Sequence, residues 1–138
     1  MSDLELVKQD GLNLKLVRNK TLFICIEAVN QNPDAIQYVK KQNNLLCKLA
    51  VDKNPESIRF IHRPNTELAL SVLQKNPKLL KSINFQSIEL QIWALENIPD
   101  ALKSIKTKAK TKKTALVTLN KQVIRKTIKK IKIKKGNV

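Results

Sequence analysis

The chain has 138 residues and a formal net charge of +16, from 27 Lys and Arg against 11 Asp and Glu. An apolar share of 42% is enough for one buried core and excludes wholesale disorder, while the length argues against two independent cores. Two Gly exclude glycine-rich phosphate loops and a turn-dense all-β fold, and one His with two Cys leaves little material for a metal or catalytic centre.

The opening MSDLELVKQDGL has no basic segment leading into an apolar one, which predicts no secretory leader. Apolar runs are only a few residues long, which predicts no membrane span. Cys25 and Cys47, without a wider cysteine framework, fit a reducing, intracellular compartment and not a secreted protein.

Pro33, Pro55, Pro77 and Pro99 recur every 22 residues, and one step back lands on Gly11. The surrounding segments are alike: ELVKQDGLNLKLV from Glu5, EAVNQNPDAIQYV from Glu27, LAVDKNPESIRFI from Leu49, SVLQKNPKLLKSI from Ser71 and WALENIPDALKSI from Trp93. A weaker sixth copy, ALVTLNKQVIRKT from Ala115, has Lys121 at the Pro position. Such a fixed period is the signature of stacked supersecondary units.

Taken in chain order, each unit shows two helix starts. Thr21, Asn43, Asn65 and Ser87 are cap formers twelve residues before their anchors and open a helix of about nine residues. Asp10, Asn32, Asn54 and Asn76 stand immediately before the anchors and open a second short helix. Pro at the first helical position loses nothing there, because its N–H would be unpaired anyway. Asp34, Glu56 and Asp100 follow at the positive helix end. Helices this short are marginal alone, so the pattern predicts an all-α fold: a right-handed α-solenoid of five to six 22-residue helix-turn-helix repeats, ten to twelve short helices in all. The repeat register places Val29, Ile36, Val39, Val51, Ile58, Ile61, Leu73, Leu80, Ile83, Leu95, Leu102 and Ile105 in its core.

Ala28-Val29, Asn32-Pro33 and Ala35-Ile36-Gln37-Tyr38, then Ala50-Val51, Asn54-Pro55 and Ile58-Arg59-Phe60, follow a pattern AVxxN(G/P)xALx(Y/F). In this the chain resembles a helical-repeat family of unknown function found in large DNA viruses, phages and some microbes. The resemblance covers roughly residues 3–105. It implies the repeat fold and, by its distribution, a viral origin; it carries no catalytic residues. The chain departs from the pattern at Ser82 and Ser104, where an aromatic is usual, and throughout the basic C-terminus.

Charge divides the chain into a repeat body, 1–105, with a net +3, and a Lys-rich degenerate sixth repeat and tail, 106–138, with a net +13 and no acid. Lys106, Lys108, Lys110, Lys112 and Lys113 replace the apolar first helix of the sixth unit, and Arg125, Lys126, Lys129, Lys130, Lys132, Lys134 and Lys135 follow. Between and among them Leu116, Leu119, Val123, Ile124, Ile128 and Ile131 form an apolar helical stripe. Within the repeats, Lys15, Gln37, Arg59, Lys81, Lys103 and Arg125 share one register, a ladder suited to a phosphate backbone or to an ordinary solvated face. Arg18, Lys40 and Lys106 fall one turn further on.

Cys25, Cys47 and Ala69 share a position that reads as tight small-residue packing rather than as metal ligation. His62 sits at a polar surface register without a nucleophile or orienting partner. Trp93 reads as half-buried, and Tyr38 and Phe60 as packing between units. The expected function is a non-enzymatic scaffold, without cofactor, whose basic C-terminus binds nucleic acid or a nucleoprotein assembly. The alternative is a protein-interaction or virion component that docks its tail on an acidic partner. Membrane-surface binding by a basic amphipathic helix around 114–133 ranks below both, for want of aromatics in the tail.

Overall fold

The computed structural model describes residues 1–105, 121–122 and 124–133, and every regular element among them is helical, with no strand. Met1–Phe85 pack as one compact unit, and a second begins at Gln86. In the first unit short α-helices alternate with six-residue 3-10 helices. They are α1 (Asp3–Gln9), η1 (Gly11–Leu16), α2 (Leu22–Gln31), η2 (Pro33–Tyr38), α3 (Asn44–Lys53), η3 (Pro55–Phe60), α4 (Thr66–Lys75) and η4 (Pro77–Ser82). Each α-helix packs on the 3-10 helix that follows it; α1, α2 and α3 pack in succession, as do η1, η2, η3 and η4. In the second unit α5 (Ile88–Asn97) packs on the three-residue η5 (Ala101–Lys103), and the chain is helical again at 121–122 and 124–133.

Both sets of predicted caps are in place. Thr21, Asn43, Asn65 and Ser87 accept the N–H of Ile24, Leu46, Leu68 and Leu90 at 3.3, 2.8, 2.8 and 3.2 Å. Ser2 and Glu5 form a reciprocal capping box on α1. At each corner a single extended residue serves two helices. The N–H of Asp10, Asn32, Asn54 and Asn76 closes the preceding α-helix on Leu6, Ala28, Ala50 and Val72. Their side chains accept the N–H of Leu12, Asp34, Glu56 and Lys78 at 2.9 to 3.2 Å and open the next helix.

The second helix of each unit is 3-10 rather than α, which the period alone does not specify. It carries a regular pair of buried residues. Leu14 and Val17, Ile36 and Val39, Ile58 and Ile61, and Leu80 and Ile83 are each three apart and buried. The first of each pair lies in the 3-10 helix and the second is its extended C-cap. The α-helices contribute Val7, Val29, Val51 and Leu73 to the same core. Full burial of each such side chain contributes about 1.5–3 kcal/mol.

Two expected core residues of the fifth repeat depart from the register. Leu95 is half-buried, and Leu102 is 50% exposed. The cause lies at the corner, where Ile98 stands in place of Asn and has no side-chain acceptor to open the next helix. The turn is made instead by Asp100 in the left-handed region (φ 59, ψ 21), without a side-chain cap. The 3-10 helix then starts at Ala101 instead of Pro99; Ala101 within it and Ile105 beyond it are buried, while Leu102 faces outward.

Gly11 replaces Pro in the first repeat for two reasons. A Cβ there would collide with the Ala28 carbonyl oxygen of α2. Unlike Pro, Gly also carries an N–H that needs an acceptor, and Gln31 Oε1 supplies it. Other side-chain amides pin neighbouring repeats. Gln42 Nε2 donates to the Ile36 and Phe60 carbonyls at 3.0 and 2.9 Å, and its Oε1 accepts the His62 N–H at 2.9 Å. Asn84 Nδ2 donates to the Arg59 and Ile61 carbonyls at 2.7 and 2.9 Å. In the second unit Gln86 repeats the Gln42–Phe60 contact with the Ser104 carbonyl at 3.1 Å.

Candidate polyanion-binding surface

The ladder residues stand near the C-terminal ends of the 3-10 helices. Lys15, Gln37, Arg59 and Lys81 are exposed on η1 to η4, which pack in succession, so their shared register becomes a row on the first unit. Lys103 is exposed at the end of η5 in the second unit. The row is not uniformly available to an anion. Arg59 lies 3.7 Å from Asp34 Oδ2, and its guanidinium stacks 4.7 Å from the centre of the Phe60 ring. Asp34 is held in turn by the hydroxyl of buried Ser57, which donates to Oδ1 at 2.7 Å. Arg59 therefore ties η3 to η2, a role its repeat register does not reveal.

Arg125, Lys126, Lys129, Lys130 and Lys132 are exposed on the helical stretch 124–133. Lys126 is partly neutralised by Glu96 of α5, at 3.7 Å. Ile124, Ile128 and Ile131 are 46–56% exposed on the same stretch, at spacings that share one helical face. Lys106, Lys108, Lys110, Lys112, Lys113, Lys134 and Lys135 lie outside the described residues, as do Leu116, Leu119 and Val123 of the apolar stripe.

A cleft of about 460 Å³ opens where the loops after η1 and η2 meet the starts of α2 and α3. Its cationic lining is Arg18, Lys20, Lys40 and Lys41, and its apolar lining includes Val39 and Leu46. Only Arg18 and Lys40 share a repeat register; Lys20 and Lys41 come from different positions, so a search for periodic charge does not find the group.

Cys25 and Cys47 are buried, and their thiols point at the Lys20 and Gln42 carbonyls at 3.9 and 3.8 Å. Burial pushes both thiols above their ordinary range. Gln91 takes the same position in α5 and donates to the Gln86 carbonyl at 2.8 Å, so at this register Cys25, Cys47 and Gln91 bond back to the preceding loop while Ala69 only packs. His62 is exposed and Trp93 half-buried. Among the described residues no group of three or more His, Cys, Asp or Glu side chains is placed to hold a metal ion, and no helix is long and apolar enough to cross a membrane.

No family model, curated protein or solved structure matches the chain.

Proposed function

We propose that this chain is a non-enzymatic α-solenoid of 22-residue repeats whose basic C-terminus binds nucleic acid or a nucleoprotein assembly through phosphate contacts. The observation that carries the reading is the charge division, +13 on 106–138 against +3 on the rest. Thirteen cations without one acid repel each other until a polyanion neutralises them. Exposed Arg125, Lys129, Lys130 and Lys132 on one helical stretch support it. So do the sequential packing of α1–α3 and of η1–η4, and the resemblance to viral and microbial helical repeats.

Binding by such a tail draws its affinity from released counterions and little from base identity. Six to ten phosphate contacts on duplex DNA give a log–log salt slope of roughly −5 to −9. The test is duplex binding across a salt series, with the full chain and with a variant carrying Gln at Arg125, Lys129, Lys130 and Lys132. A steep slope that flattens in the variant supports the reading; a shallow slope shared by both removes it.

A second reading rests on Ile124, Ile128 and Ile131. An exposed apolar face beside cations suits an acidic protein groove, as in a virion or another assembly, better than it suits a bare phosphate backbone. Purification with and without nuclease separates the two readings, since only the first predicts co-purifying nucleic acid.

A further inference from the structure

The cleft where the loops after η1 and η2 meet α2 and α3 is built on a loop that differs from its equivalent one repeat later. Gln42 spans the second and third repeats, bonding the Ile36 and Phe60 carbonyls and the His62 N–H. One repeat earlier the same position is Lys20, whose ammonium donates to the Val17 carbonyl at 2.8 Å. An ammonium group has three donors and no acceptor. Lys20 therefore cannot take up the Lys40 N–H as Gln42 takes up that of His62, and it brings a charge where the later repeat has a neutral bridge. A separate, smaller cleft between α3 and α4, about 200 Å³, pairs a cation with a carboxylate in its lining, Lys48 and Glu67. The first cleft is about 460 Å³ and is lined by four cations and no carboxylate.

The helix ends agree with this difference. α2 and α3, which supply Leu22 and the cap Asn43 to the cleft, carry no acidic residue in their first turns. α4 and α5 carry Glu67 and Glu89 there. Arg18, Lys20, Lys40 and Lys41 form no ion pair among the described residues. Their charge is thus uncompensated around a cleft whose exposed apolar side chain is Leu22.

We infer that this cleft binds a nucleoside phosphate. The phosphate sits among Arg18, Lys20, Lys40 and Lys41, and the sugar and base lie against half-exposed Leu22. Four clustered cations match a multiply charged group better than a single carboxylate. The volume lies within the range of small-molecule sites and admits a nucleotide. The site is separate from the basic C-terminus and does not depend on it. The nucleotide comes either free or as one unit of a single strand, and the test distinguishes these sources.

The experiment titrates the full chain at low salt with thymidine, thymidine monophosphate and an eight-residue oligothymidylate. Four variants are compared with the parent. Lys40→Gln with Lys41→Gln alters the cleft, and Lys53→Gln with Lys75→Gln removes the same charge from exposed sites outside its lining. Gln at Arg125, Lys129, Lys130 and Lys132 alters the tail, and Lys20→Gln restores the residue type of the later repeat.

The expected result is binding of the monophosphate, or of the octamer alone, that falls about tenfold in the Lys40/Lys41 variant and stays near parental in the Lys53/Lys75 and tail variants. Lys20→Gln should lose the ligand and also unfold at higher denaturant, because Gln can make the bridge that Lys cannot. Monophosphate binding identifies a free nucleotide; binding of the octamer without it identifies a strand. Equal losses in the cleft and control variants, binding of thymidine as tight as that of its phosphate, or no binding of either phosphate probe would overturn the assignment. Loss in the tail variant alone would overturn it too and would leave the C-terminal reading intact. Cleft-dependent binding with a flat duplex salt slope would remove the C-terminal reading and keep the cleft.

Discussion

Gln42 accepts the backbone N–H of His62 at 2.9 Å, so a side chain that precedes α3 holds the chain just beyond η3. The same amide donates to two carbonyls, and the three bonds together fasten consecutive repeats. Gln42→Ala should cost about 1–3 kcal/mol, because partly buried backbone groups lose their partner. Urea unfolding measures it. A loss of a few tenths would mean that water replaces the amide.

Gly11→Ala should be destabilising by about 1–3 kcal/mol, since the added methyl meets backbone rather than a yielding side chain. Gln31→Leu should be milder, about 1 kcal/mol, through loss of the acceptor for the Gly11 N–H. Thermal melts of the two variants order these effects; the reverse order would count against close backbone approach as the reason for glycine.

The fifth repeat offers a paired test of register. Val51→Ala and Ile58→Ala remove fully enclosed groups and should cost about 1–4 kcal/mol. Leu102→Ala, at the same register as Ile58, should cost less than about 1 kcal/mol because half of its surface is already wet. Equal losses at Ile58 and Leu102 would restore Leu102 to the core.

Both thiols are raised by burial above the ordinary value of 9.0. A raised thiol pKa means that the folded chain holds its proton more tightly than the unfolded chain. Stability from this source is complete below the unfolded value and is lost as pH rises through the folded one. Labelling of Cys25 and Cys47 should therefore be slow in native protein at neutral pH and fast in urea, and the denaturation midpoint should fall on the alkaline side. Rapid native labelling at pH 7 would contradict the burial.

The corners were legible because Asn-Pro carries its mechanism in two adjacent letters: an acceptor for an orphan N–H, then a residue with no N–H to satisfy. The same logic explains the failure at Leu102. Ile98 removes the acceptor, and a register carried forward from Asn76 no longer applies. The helix type was less visible, since a spacing of three between apolar residues fits one α-helical face as well as a 3-10 turn. The amide pins were hidden altogether. Lys20, Gln42, Pro64 and Gln86 share a position without sharing chemistry, so averaging over repeats erases the bridge that Gln42 makes. The cationic cleft was hidden for a related reason. Lys20 and Lys41 are exceptions to the period, and periodic reading discards exceptions.

Asp10, Asn32, Asn54 and Asn76 each end one helix and begin the next. A joint one residue long has no slack. Inserting or deleting one amino acid there turns the following 3-10 helix by about a third of a revolution and moves its apolar pair off the core. Length change within a unit is thus penalised at once, whereas gain or loss of all 22 residues leaves every joint as it was.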